Sequence, residues 1–104
     1  GKEGNPNMAP YAASKAAIIG FVKATAKEVA NKGITINALA PAVINTPINE
    51  NTTEEVLKYM VSRIPMGRVG EPFEVGELVA FVVSRACSFT TGFVFDASGG
   101  RATY

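Results

Sequence analysis

The sequence predicts an α/β fold, a piece of parallel sheet covered by helices and incomplete on its own. Two observations lead there. Segments with helical and strand-like patterning follow one another as helix, strand, helix, helix, strand, the order of a layered fold with a right-handed crossover. Only two short strand-like runs occur in 104 residues, whereas a parallel sheet needs several strands, and helices on both faces, to satisfy its backbone groups. At least one strand edge is therefore expected to stand bare if the chain is alone.

Gly1 to Pro10, GKEGNPNMAP, is rich in glycine, asparagine and proline and is expected to form an irregular loop. A long helix starts near Pro10 or Tyr11 and runs to about Asn31, because the stretch is mostly alanine and other helix formers, and Gly33 stands where a left-handed cap belongs. Ile18, Ile19, Phe21, Val22 and Val29 cover more of its circumference than one stripe, so packing on two sides is expected. Ile34, Ile36 and Ala38 alternate with Thr35 and Asn37, a predicted strand that Pro41 ends. Thr52 or Thr53 opens a second helix, with Thr52 and Glu55 at capping-box spacing, and the helix ends near Ile64 ahead of Pro65. Pro72 opens a third helix with Val75, Leu78, Val79 and Val82 on one face. Phe93 to Asp96 is the second strand, closed by a glycine turn.

Composition narrows the function. Apolar residues make up 47% and charged residues 18% of the chain, as in a globular protein. The net charge is +1 and the basic residues form no run, so no nucleic-acid partner is expected. Cys87 is the only cysteine and there is no histidine, which excludes an intrachain disulfide and a Cys/His metal cluster and suits a reducing, cytoplasmic compartment. No apolar run approaches the roughly 20 residues of a membrane span, so no membrane partner is expected.

The candidate chemistry lies in YAASK. Tyr11 and Lys15, at i and i+4 on a helix, share one face. A free phenol titrates near pKa 10, about three units too high for proton transfer at neutral pH, and a nearby ammonium lowers it. The pair would be a usable general acid/base, able to protonate a carbonyl oxygen as hydride arrives or to take a proton from an alcohol as hydride leaves. By spacing alone, an ordinary polar helix surface is the simpler reading. The flanking residues change the balance.

In order, Tyr11-x-x-Ser14-Lys15, then ITINALAPAVINTP, PMGRVGEPFEVGELVAFVVS and TTGFVFDASGG resemble the C-terminal part of the short-chain dehydrogenase/reductase superfamily. The four segments cover nearly the whole chain. The resemblance implies that residues 1–104 are the C-terminal half of a single NAD(P)-binding domain, part of a Rossmann-type doubly wound parallel sheet. It implies an oxidoreductase that interconverts a small-molecule secondary alcohol and a ketone. Tyr11 would be the catalytic acid/base, and Lys15 would assist it and hydrogen-bond the nicotinamide ribose. Pro41 to Thr46 is similar to the family's loop after the sixth strand, with Pro41 and Ala42 at its start, in which backbone groups near Ile44 and the Thr46 hydroxyl would hold the nicotinamide carboxamide and the pyrophosphate. Ala42 departs from the glycine usual there. Residues 47–66 would be a lid over the substrate. Arg68, Glu71 and Pro72 match a motif read as structural, and Asp96 with the following glycines would shape subunit contacts.

The cofactor implied is NAD or NADP, with most of its site outside this chain, since no glycine-rich phosphate turn is present. The family's carbonyl-polarising serine would fall just before Gly1. The implied partners are further copies in a homo-oligomer or the missing N-terminal half, and the isolated chain is expected to be inactive. The alternative is a non-catalytic module that associates with itself or with a related subunit.

Overall fold

The computed structural model describes residues 9–47 and 52–101. Helix α1, Ala9–Val29, opens the described chain. Ala9 and Pro10 are thus helical and not part of the expected loop; Pro10 is tolerated in the first turn, where its missing N–H has no helical acceptor to lose. The rest of that loop lies outside the described residues. The helix tightens into a 3₁₀ turn, Ala30–Lys32, and stops at Gly33, whose φ of 75° is left-handed and whose N–H donates to the Ala30 carbonyl at 3.2 Å.

Strands β1, Ala38–Pro41, and β2, Val94–Ala97, pair in parallel with Ala38 opposite Val94 and Pro41 opposite Ala97. Both are displaced from expectation. Residues 34–37 do not form strand: Ile36 and Asn37 bond instead to the turn at residues 90–93, largely through side chains. Ile36 N–H donates to Thr91 Oγ1 at 3.0 Å, and Asn37 bridges to the Thr90 carbonyl and the Phe93 N–H. These bonds, which reach across more than 50 residues, stand in place of ladder pairing, and the ladder starts only after them.

Helix α2, Glu54–Ser62, is capped by Thr53, whose hydroxyl accepts from Val56 N–H at 3.2 Å. The cap is thus one residue later than the Thr52–Glu55 spacing suggests, and the helix ends two residues before Ile64. Helix α3, Pro72–Val82, begins at the expected proline. It leads into a 3₁₀ turn, Arg85–Cys87, capped by Ser84, whose hydroxyl accepts from Ala86 N–H at 3.2 Å. The connection from β1 to β2 therefore carries α2 and α3, the crossover that parallel strands require.

The core is small. Ala26, Ile64, Cys87 and Val94 are its buried apolar residues among those described. Ala26 is covered where the turn at Gly92 approaches so closely that a Cβ there would lie 3.4 Å from the Ala26 methyl, and Lys23 Nζ donates to the Gly92 carbonyl at 3.0 Å. The two-sided packing expected of α1 is not met among the described residues: Ile18 and Phe21 are exposed. The radius of gyration, 15.3 Å, exceeds the value of about 13 Å usual for a compact domain of 100 residues. The fold is α/β, with a two-stranded sheet that leaves an edge of each strand unpaired among the described residues. No described helix is long and apolar enough to cross a membrane.

Candidate active site

Tyr11 and Lys15 stand on the first turns of α1, both exposed. Lys15 Nζ lies over the Tyr11 ring, 5.3 Å from its centroid, the one-turn contact that the i, i+4 spacing dictates. Among the described residues, neither the phenol oxygen nor the ammonium has a hydrogen-bond partner, so both polar tips are open to a ligand.

The second group of candidates lies where β1 ends. In parallel sheets that end is where ligands bind, because the loops there are released from the ladder and open outward. Pro41 is the last residue of β1, and Ala42 N–H extends the ladder to the Ala97 carbonyl at 3.4 Å. Ala42 has no positive φ, so the loop forms without a conformation reserved for glycine. Beyond it, Gly70 N–H donates to the Val43 carbonyl at 2.9 Å and Asn45 N–H to the Gly70 carbonyl at 2.8 Å. Ala42 and Ile44 face a cleft of about 240 Å³ whose other walls include Ile64, Met66, Val75 and Asp96. Thr46 is half-buried beside it.

The predicted residues thus fall into two groups. The structure brings Pro41, Ala42, Ile44 and Thr46 together at the end of β1 and on the loop that follows it, and Tyr11 with Lys15 on one helix face. The helix pair does not line the cleft. Of the expected lid, residues 48–51 lie outside the described residues and α2 forms most of the remainder.

Sequence reasoning missed the contacts that hold the loop. Asn45 Nδ2 donates to the Glu71 carboxylate at 3.3 and 3.5 Å. Arg68 donates to both oxygens of Glu74 at 2.7 and 2.9 Å, and Glu74 also accepts Glu71 N–H at 2.9 Å. The Arg68 hydrogen bonds first, and then the Glu71 N–H, hold the Glu74 carboxyl down to about 2, and Glu74 in turn raises Arg68 above its ordinary value. The Glu71-to-Glu74 spacing just before a helix was the available signal. Among the described residues, no cluster of three or more His, Cys, Asp or Glu could hold a metal ion.

Comparison with known proteins gives this geometry its context. The family described as Enoyl-(Acyl carrier protein) reductase matches residues 1–102. The chain is 51% identical, over its full length, to a 2-dehydro-3-deoxy-L-rhamnonate dehydrogenase (NAD(+)) of Sphingomonas sp. (strain SKA58), covering 42% of that protein. It is 45% identical over 93% of its length to the 3-oxoacyl-[acyl-carrier-protein] reductase FabG of Thermotoga maritima, covering 39% of it. A crystal structure of the 3-oxoacyl-[acyl-carrier protein] reductase of Brucella melitensis superposes with a TM-score of 0.85 at 40% identity, over 89% of this chain and 35% of that one. The chain spans about two fifths of the length of the curated relatives it matches. With both the family match and the fold in agreement along nearly all of its residues, the chain belongs to the Enoyl-(Acyl carrier protein) reductase family of short-chain dehydrogenases/reductases.

Proposed function

We propose that this chain is the C-terminal portion of a cytoplasmic NAD(P)-dependent oxidoreductase that interconverts a secondary alcohol and a ketone, with Tyr11 as the acid/base. The observation that carries the reading is the Tyr11–Lys15 pair on one helix face, with Lys15 Nζ 5.3 Å from the centre of the Tyr11 ring and both polar tips unpartnered among the described residues. The names of the relatives support it, since each describes a dehydrogenase or an oxo-group reductase. The residues present fit the nicotinamide end of a dinucleotide: an open ammonium at Lys15, and a loop at the carboxyl end of a parallel strand that ends in the Thr46 hydroxyl. When bound, that group supplies or accepts the hydride.

This chain's residues then have separable tasks. Tyr11 Oη holds the proton that moves to the substrate carbonyl oxygen in reduction, and takes it from the hydroxyl in oxidation. Lys15 stabilises the phenolate left behind and donates to ribose hydroxyls. Pro41 and Ala42 fix the exit of the backbone from β1, so that groups near Ile44 and the Thr46 hydroxyl meet the carboxamide and pyrophosphate. Residues 47–66 cover the substrate and exclude water. The remaining contacts with the dinucleotide come from a N-terminal portion, and the holoenzyme is an oligomer.

The test is Tyr11→Phe in the holoenzyme, in which this chain is joined to its dinucleotide-binding portion. General acid/base catalysis contributes about 10² to 10⁴ in rate, so kcat should fall by that range with the NAD(P)H dissociation constant little changed. An unaltered kcat overturns the assignment.

A further inference from the structure

Loop 43–46 is fastened to the segment before α3 at three points. Two are the backbone bonds that pair Ile44 with Gly70 in a short parallel bridge. The third is the side chain of Asn45, which reaches the Glu71 carboxylate. Glu71 is itself fixed, because its N–H is held by Glu74, which Arg68 grips through two hydrogen bonds. Gly70 completes the seat: a Cβ there would lie 2.9 Å from Ile44 Cδ1, so a side chain at this position would push the end of the Ile44 side chain aside. Asn45 stands between Ile44 and Thr46, and moving it moves both.

We propose that Asn45 and Glu71, seated by Gly70, are positioning residues for the dinucleotide: their contact sets the height of loop 43–46, so that Ile44 and Thr46 meet its nicotinamide end. This rests on the oxidoreductase reading above. Asn45 touches no reacting atom, so its loss should weaken binding equally in the ground state and the transition state and leave kcat alone.

The experiment compares the holoenzyme with Asn45→Asp, which opposes two carboxylates, and with Asn45→Asp/Glu71→Gln, which restores an amide–carboxylate bond with donor and acceptor exchanged. Three quantities are read: NADH affinity by fluorescence titration, KM and kcat, and hydrogen exchange of the Asn45 and Gly70 amides without cofactor. Asn45→Asp should weaken NADH binding about tenfold, equal to about 1.4 kcal/mol, raise KM in parallel, leave kcat within about twofold and speed exchange at both amides. The double variant should recover most of the affinity. Faster exchange with unchanged NADH affinity overturns the positioning role and makes the contact purely structural. A loss that the exchanged pair does not recover overturns it as well. If the parent holoenzyme binds no NADH, the oxidoreductase reading falls and takes the cofactor role with it. If instead Tyr11→Phe retains full turnover while the Asn45 series behaves as stated, only the acid/base assignment falls.

Discussion

Gly99 and Ile64 meet in close contact. Gly99 has φ of 65°, a left-handed conformation that other residues adopt only at a cost, and a Cβ there would lie 2.7 Å from Ile64 Cγ2. Ile64 is 4% exposed and belongs to the small core, so shifting its methyl disturbs packed neighbours. The contact is tightened by Met66 N–H, which donates to the Gly99 carbonyl at 3.0 Å. Gly99→Ala should therefore destabilise by about 2 kcal/mol or more, the sum of backbone strain and overpacking, read as the change in urea midpoint at constant slope. A change under about 0.5 kcal/mol, the range of neutral surface substitutions, would show that the turn repacks freely. Tyr11 is the opposite kind of residue. It is 55% exposed, and Tyr11→Phe should change stability little while reducing turnover.

At the scale of elements, the N-terminus of α3 carries a pH dependence whose sign follows from Glu74. Its folded pKa, about 2, is below its ordinary 4.5, so its contribution is fully present above about pH 4.5 and is lost as pH falls through about 2. Both partners are partly exposed, 50% for Arg68 and 37% for Glu74, so salt screens much of the pairing. The stability difference between the parent and Glu74→Gln should be flat from neutral pH to about 4.5 and shrink between there and 2, and it should be smaller in high salt; a difference independent of pH would contradict this. The same helix marks what sequence could and could not reveal. Pro72 and Gly33 announced a helix start and a helix end because each has one strong conformational preference, and both stand where expected. Tyr11 and Lys15 were readable as a pair because helical spacing alone places them together. The start of β1 was not readable: Ile34 and Ile36 alternate as a strand should, but Asn37 and Thr91 intercept the backbone groups, a contact across more than 50 residues. The clamp at Asn45 and Glu71 was hidden for the same reason, 26 residues separating its partners.

The whole molecule has more apolar surface than it can cover. Phe21, Phe73, Val83 and Phe89 are exposed, and β1 and β2 each offer an unpaired edge among the described residues. Larger structures of the family place two to three times as many residues around the same elements, since this chain covers only 35% of the Brucella melitensis reductase. Burial of such surface is worth about 25 cal/mol per Å², and bare strand edges add a template for pairing with another chain. The chain on its own should therefore associate or remain marginally folded, with an unfolding midpoint that rises with protein concentration. Native mass spectrometry of the purified 104-residue chain decides the matter. Assemblies of several copies, or a companion polypeptide carried with a nucleotide, are the expected species, and the companion would also supply the rest of the active site. A monomer with a sharp, concentration-independent melt would mean that these few buried residues suffice for a closed core, and the chain would then be better understood as a finished module than as part of a larger sheet.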